Sequence, residues 1–325
     1  MEHGGAREGE EKLRDFSYSA NPYRPPFVKR ALERAKIERY PYCNERLEND
    51  IKNKLGIPQD VVITAGITEQ IQIIITYFRK KRFVSLRSTY GEYVRTARLL
   101  GSDIRIINNP DPDISELTPS RGDVLFFANP NNPTGKYYRY VNELVEQAEA
   151  KNFMLILDEA FIDFVDSVVP YEINDNVVVM RSFSKAYNLS GIRIGYAITS
   201  RPLADKFRDM RLPWGIGTIG CAFIEDILKD RKFLSTSLEK IRNERRRISE
   251  TTGLRTDASY FLASVGSATV AVKRLKENGI LVRDCSSFGL TDAIRFSIKR
   301  KKDNDLLLSL LRELEVRPPG YVSFR

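Results

Sequence analysis

Between residues 61 and 200 the chain alternates short apolar runs with stretches of helical period, and this alternation limits the fold more than any other feature. The runs are Val61–Thr64, Phe83–Leu86, Ile104–Ile107, Val124–Phe127, Phe153–Leu157, Val177–Met180 and Ile192–Ile198. Several are bounded by Gly, Pro, Asn or Asp, as buried strands are. Helical patterns over 68–80, 90–100 and 139–151 lie between them. Strands separated by helices predict an α/β fold with a mostly parallel sheet and helices on both faces. In such sheets ligands bind beyond the carboxyl ends of the strands, so the chemistry is expected in the loops that follow the runs.

The pattern changes after about residue 215. A long helical stretch over 218–252 precedes a strand at Tyr260–Ala263, a helix at 267–278, strands at Ile280–Val282 and Ala293–Ile298, and a last helix at 303–314. This reads as a smaller α+β unit. Two further helices are predicted at 27–37 and 45–55, and the first dozen residues are expected to be mobile. A chain of 325 residues suits two units: a large one over 36–215, and a small one from 1–35 and 216–325.

Several chemistries are excluded. The three cysteines, Cys43, Cys221 and Cys285, are odd in number and lack CxxC spacing, so neither a disulfide framework nor a Cys-based zinc site is expected. His3 is the sole histidine, which argues against a histidine triad or multi-His metal site. The net charge is +9, but the basic clusters Arg245–Arg247 and Lys299–Lys302 carry no interleaved aromatics. They read as solvated surface and a field for anionic substrates, not as a nucleic-acid groove. No apolar run approaches the roughly 20 residues that cross a bilayer, and no secretion signal opens the sequence. A cytoplasmic location is expected.

Five loops hold polar residues of complementary type. Phe153–Leu157 ends in Asp158-Glu159, and a carboxylate at the end of a buried strand is costly unless it is paired or caps a helix. Val177–Met180 leads into Arg181-Ser-Phe-Ser-Lys185; a lysine there, desolvated and beside other cations, would be a nucleophilic amine. Arg193, within an apolar run, calls for a fixed anion. Ala65-Gly-Ile-Thr-Glu69 opens a helix whose free N–H groups favour a phosphate, although it lacks the GK[ST] ending of a Walker loop. Asn129-Pro-Asn-Asn-Pro-Thr-Gly135 is a turn-forming run after another strand.

NPNNPTG, then DEA, then SFSKxxxLxGxRxGY, in that order and at these spacings, resemble the class I/II aminotransferases, enzymes of pyridoxal-5′-phosphate (PLP) fold type I. The resemblance spans roughly residues 15 to 315 and implies an aspartate-aminotransferase-like fold with PLP as cofactor. It implies that Lys185 carries the cofactor as a Schiff base and moves protons at the substrate Cα. Asp158 would pair with the pyridinium nitrogen, Asn132 with the cofactor's O3′, and Tyr90 would stack on the ring. Ser182, Arg193 and the Gly66-Ile67-Thr68 turn would hold the cofactor phosphate. Tyr40 would reach the phosphate of a second subunit, which implies a symmetric homodimer. Arg295 would take the substrate carboxylate. Phe161 stands where a tyrosine usually follows DEA, so one donor to O3′ is lost.

Two branches of the family act on phosphorylated substrates, histidinol-phosphate aminotransferase and threonine-phosphate decarboxylase, and both use an arginine like Arg283. His3-Gly-Gly5, Asp15-Phe-Ser17, Asn21-Pro22, Phe161, Pro213-Trp214 and Arg283-Asp-Cys-Ser-Ser-Phe-Gly-Leu290 resemble the decarboxylase more, whereas Ser19 and Gly217 depart from it. The implied substrate contacts are Arg283, Arg295, Asn21 and His3.

Overall fold

The computed structural model describes residues 4–324. In chain order the elements are β1 (Arg14–Asp15), α1 (Val28–Arg34), α2 (Asn44–Leu55), β2 (Asp60–Thr64), α3 (Ile67–Tyr77), β3 (Phe83–Leu86), α4 (Glu92–Leu99), β4 (Ile104–Ile107), β5 (Val124–Ala128), α5 (Val141–Lys151), β6 (Met154–Asp158) and β7 (Val177–Ser182). There follow α6 (Phe183–Ala186), β8 (Gly195–Thr199), α7 (Arg201–Met210), α8 (Thr218–Lys229), α9 (Phe233–Thr252), β9 (Tyr260–Ser264), α10 (Ala268–Glu277), β10 (Ile280–Leu281), β11 (Arg283–Asp284), β12 (Ala293–Ser297) and α11 (Lys301–Glu313).

Seven strands form one sheet in the order β2-β8-β7-β6-β5-β3-β4. Only β8 runs antiparallel to its neighbours, β2 and β7. The expected α/β sheet is therefore present and mostly parallel. Its strands read as continuous apolar runs because both faces are covered. In β5, Leu125 and Phe127 join the core formed with α1, α2, α5 and α8, while Val124 and Phe126 join the core formed with α3, α4 and α7. That is the period of two expected of a strand.

A third core is built from α9, α10 and α11 on the antiparallel sheet β11-β12-β9, with Tyr260, Phe261, Phe296 and Leu307 at its centre. The N-terminal segment joins this unit through β1, which pairs in parallel with β10. The large and small units do not divide at 35/36 and 215/216. Phe27, Val28 and Ala31 of the α1 region, and Cys221 to Ile224 of α8, pack into the large-sheet core.

Three local readings are corrected. The stretch 218–252 is two helices, because the Asp230 carboxylate accepts the N–H groups of Phe233 and Leu234 (2.9 and 3.0 Å) and starts α9 afresh. The run Ile192–Ile198 becomes strand only at Gly195; Arg193 lies before it in a left-handed conformation (φ 58°). Cys43 and Cys221 form a disulfide, with Cα atoms 6.4 Å apart. The cysteine count argued against one, but α2 and α8 share one core and bring the two residues together. No helix among the described residues is long and apolar enough to cross a membrane.

Candidate active site

The loops at the carboxyl ends of the parallel strands meet the β11–β12 pair around a cavity of about 740 Å³. Lys185, Asp158, Tyr90, Asn132, Ser182, Arg193, Gly66, Ile67, Thr68, Arg283 and Arg295 all line it. Eleven of the residues singled out from sequence thus share one space.

Asp158 is the last residue of β6 and is buried. The Ala160 N–H donates to its Oδ1 (2.9 Å), and the Tyr93 hydroxyl donates to its Oδ2. Burial pushes its carboxyl up to about 6, against the opposing pull of those two hydrogen bonds. Glu159 turns the other way. It accepts from Arg181 Nε (2.7 Å) and from the Tyr171 hydroxyl (2.6 Å), so only the first acid of the DE pair faces the cavity.

Lys185 sits on α6, whose start is capped by Ser182: the Ser182 Oγ accepts from the Ser184 N–H (3.1 Å) and donates to the Ile194 carbonyl (2.9 Å). Burial, with the cations Arg295, Arg193 and Lys299 adding to it, pulls the Lys185 ammonium down to about 8. An amine so poised is neutral in about a tenth of molecules near pH 7, far more than an ordinary lysine.

Opposite lies an anion cradle. The Arg193 guanidinium is held by the Ser190 carbonyl (3.1 Å) and lies directly over Gly66, where a Cβ would come 2.6 Å from its Nη2. Gly66 (φ 80°) is the N-cap of the 11-residue helix α3, so guanidinium, helix N-terminus and the Thr68 hydroxyl converge, while Ser182, whose hydroxyl proton goes to the Ile194 carbonyl, lines the wall beside them. Gly195 allows this approach, since a Cβ there would stand 2.9 Å from the Ile67 nitrogen. Ser190 Oγ is buried with no partner, and Arg193 makes no ion pair among the described residues. The cradle fits a phosphate dianion.

The NPNNPTG loop shows a division of labour. Asn129 bonds the Tyr138 backbone in both directions, and Asn131 joins Thr89 Oγ1 (2.7 Å) to the Ser88 carbonyl (2.9 Å). These lock the loop, and Asn132 faces the cavity, where its Oδ1 accepts from Arg295 Nη1. Arg295 also donates to the Ser17 carbonyl (2.9 Å) and lies over the Tyr260 ring, yet it is buried and pairs with no carboxylate among the described residues. Its Nε has no partner. Arg283 is its register partner on β11, likewise buried, with Nη2 on Ser287 Oγ (2.8 Å) and the guanidinium over Phe288.

Asn21 does not serve as a substrate contact. It is fully buried behind α6, donating to the Ala186 carbonyl and Ser237 Oγ (2.8 Å each) and accepting from the Tyr23 N–H (3.0 Å). His3 lies outside the described residues; Gly4 and Gly5 line the cavity. Tyr40 is 68% exposed and stacks on Trp214 (4.5 Å), away from its own chain's cavity. Phe161 lines the cavity wall and packs edge-on against Tyr260. Tyr93 was not singled out from sequence; its spacing of three from Tyr90, at the start of α4, was the available signal.

A mostly parallel sheet that presents an aspartate and a lysine beside a helix-capped phosphate cradle is the arrangement of PLP-dependent enzymes of the aspartate-aminotransferase-like fold. The aminotransferase class I and II family model matches residues 15–311, and the chain belongs to that family. It is 30% identical over 321 residues to histidinol-phosphate aminotransferase 2 of Archaeoglobus fulgidus, covering 92% of each chain. It is 28% identical to a provisionally named threonine-phosphate decarboxylase of Caldanaerobacter subterraneus subsp. tengcongensis, covering 90% of this chain and 88% of that one. The structure of histidinol-phosphate aminotransferase from Sinorhizobium meliloti in complex with pyridoxal-5′-phosphate superposes with a TM-score of 0.82 at 25% identity, covering 96% of this chain and 94% of that one. The protein is an enzyme of this family with pyridoxal 5′-phosphate as its cofactor.

Proposed function

We propose that the enzyme decarboxylates L-threonine O-3-phosphate, releasing CO₂ and the aminopropanol phosphate used in cobalamin synthesis. The observation that carries this reading is the pair Arg283 and Arg295, cross-strand partners whose buried guanidiniums line the cavity together. Two guanidiniums that line one cavity suit a substrate carrying both a phosphate and a carboxylate, since each anion matches the two-pronged donor set of a guanidinium.

The cofactor, when bound, supplies an electron sink that weakens whichever Cα bond stands perpendicular to its ring. The chain's residues decide which bond that is. Arg193, the α3 N-terminus with Thr68, and Ser182 once its hydroxyl turns from the Ile194 carbonyl would hold the cofactor phosphate, Asp158 would hold a proton on the ring nitrogen, Asn132 would donate to O3′ and Tyr90 would flank the ring. Arg283, with help from nearby backbone N–H groups, would grip the substrate phosphate. Binding energy far from Cα then turns the carboxylate out of plane in place of Cα–H. So oriented, the carboxylate would leave as CO₂ with its bonding pair passing to that sink, and the Lys185 ammonium would be placed to return a proton to Cα.

We further propose a homodimer acting in the cytoplasm, with Tyr40 of each subunit completing the other's cofactor site. The patch formed by exposed Tyr40, Tyr42 and Trp214 supports this. A second reading, transamination of histidinol phosphate, is favoured by the 30% identical Archaeoglobus relative. Product analysis separates the two. The decarboxylase yields CO₂ and aminopropanol phosphate from threonine phosphate with no 2-oxo acid added. Glutamate formed from histidinol phosphate and 2-oxoglutarate, with no CO₂ from threonine phosphate, would install the transaminase.

A further inference from the structure

The C-terminal segment after α11 does not trail into solvent. Its backbone forms a two-bond antiparallel bridge between Arg317 and Ser264 at the end of β9 (2.9 and 3.0 Å). Tyr321 and Val322 then pack on a small apolar cluster of Leu262, Cys285, Phe288, Leu290 and Ala293. Three of those residues, Cys285, Phe288 and Leu290, belong to the turn that leaves β11 just after Arg283. This is the cluster on which Phe288 supports the Arg283 guanidinium.

The same segment also reaches the large unit. The Ser323 N–H donates to Asp111 Oδ2 (2.8 Å), and the other oxygen of Asp111 accepts from Lys136 Nζ (2.7 Å). Lys136 directly follows the NPNNPTG loop that presents Asn132 to Arg295. On the cavity side, the Phe288 carbonyl accepts from Ser88 Oγ (3.0 Å), and the Ser88 carbonyl accepts from Asn131 (2.9 Å). The turn that carries Arg283 is therefore held from two sides, by Ser88 above and by Tyr321 and Val322 beneath.

We propose that Val316–Phe324 is a positioning strap: it clamps the 283–290 turn against the NPNNPTG loop and thereby sets affinity for the substrate's anion, without contributing to cofactor binding. This rests on the reading that Arg283 takes that anion. The physical basis is pre-organisation. A guanidinium already fixed where the anion binds loses little freedom on binding, whereas a loosened one must be ordered at that moment.

The test uses the holoenzyme and inorganic phosphate, titrated calorimetrically, with the cofactor's visible absorbance followed alongside. A chain ending at Glu315 should bind phosphate about tenfold more weakly, the effect of one or two side chains that must be reordered, while its cofactor absorbance is unchanged. The full-length Tyr321→Ala variant should move the same way, and it decides the matter should the shortened chain not fold. Arg283→Ala in the full chain is the control. If Arg283→Ala weakens phosphate binding and neither tail variant does, the strap is overturned alone. If Arg283→Ala leaves phosphate affinity untouched, the anion reading fails and takes the strap with it. If the tail variants release cofactor and phosphate in equal measure, the segment is a general stabiliser and the proposal is wrong.

Discussion

The Tyr93 hydroxyl donates to Oδ2 of Asp158, the oxygen not taken by the Ala160 N–H. Tyr93 is wholly buried, and its ring stacks on Phe126 of β5 (4.8 Å, 10° between planes), so the donor cannot drift. Both hydrogen bonds favour the anionic carboxylate, while burial opposes it.

Tyr93→Phe keeps the packing and removes the donor. The proton affinity of Asp158 should then rise above its present value of about 6. A hydrogen bond to a charged group contributes about 1.5–3 kcal/mol, equivalent to roughly one or two pH units. The acid limb of kcat/KM, where Asp158 gains a proton as pH falls, should therefore move to higher pH by about that amount. A merely structural loss would lower the plateau and leave the limb in place, so the pH profile checks the idea.

Lys185 gives a prediction of opposite sense. Its pKa of about 8 lies below the ordinary lysine value because of burial first, then Arg295, Arg193 and Lys299. The neutral amine is the nucleophile, so cofactor capture by the apoenzyme should accelerate as pH rises through about 8 and then level off. Because the folded value is depressed, the unfolded chain holds the extra proton between about 8 and 10.5, and this group's contribution to apoenzyme stability grows with pH across that window. Stopped-flow absorbance on adding PLP reads the first effect. Lys185→Ala should abolish the visible band and turnover while circular dichroism stays unchanged. A borohydride-reducible adduct persisting in that variant would identify another lysine as the anchor.

How much of this was legible in the sequence follows from how local each signal is. The runs at 83–86 and 104–107 became β3 and β4 without a shifted residue, because an apolar run between turn formers needs no tertiary help to declare itself. Lys185, Asp158, Asn132 and Arg193 were legible through motif order. The split of 218–252 was not, since Asp230 acts as a cap only once its neighbours curl around it. Asn21 lies in a stretch that points correctly to the site, but the side chain faces the back of α6, a direction no spacing reveals. Tyr93 and the Cys43–Cys221 pair depend on contacts across 65 and 178 residues, which a single sequence does not display.

That cysteine pair should matter for stability. It closes a loop of 178 residues between α2 and α8. Constraining so long a loop in the unfolded chain is worth about 2–5 kcal/mol. Reductant, or Cys43→Ser, should lower the apparent melting temperature by several degrees, in line with about 2–4 °C per kcal/mol for a protein larger than a small domain. Calorimetry with and without dithiothreitol checks this. Cys43→Ser protein that melts at the wild-type temperature would show that the bridge does not form in solution.

Tyr40 tests the proposed shared site. Its ring is exposed and rests on Trp214, so a hydroxyl there can act only outside its own chain's cavity. Mixed dimers of Tyr40→Phe and Lys185→Ala subunits would then carry one site with both residues intact. Activity should rise on mixing, above that of either parent. Mixed dimers no more active than the parents would remove Tyr40 from the neighbour's site.

Arg283 and Arg295 face each other in register, yet their surroundings differ enough to separate their roles. Arg295 has both terminal nitrogens engaged, on Asn132 and on the Ser17 carbonyl, and it is among the cations that depress Lys185. Arg283 donates to Ser287 and lies over the Phe288 ring, and it is not among the cations that depress Lys185. Removing Arg295 should therefore disturb the cofactor as well as the substrate: Arg295→Gln should alter the visible spectrum and raise the Lys185 value above about 8. Arg283→Ala should leave the spectrum alone and remove only anion binding. Losing one partner of a buried, hydrogen-bonded charge pair costs about 2–5 kcal/mol, or roughly 30-fold to several thousand-fold in kcat/KM. That loss should appear with threonine phosphate and vanish with unphosphorylated threonine, which presents no phosphate to lose. Arg283→Lys should recover part of it, since an ammonium keeps the charge without the two-pronged geometry. If both arginines grip a single dianion, the double variant should cost less than the sum of the two single ones. Equal losses with threonine and threonine phosphate on Arg283→Ala would assign that residue to the carboxylate, and the orientation that favours decarboxylation would have to arise elsewhere.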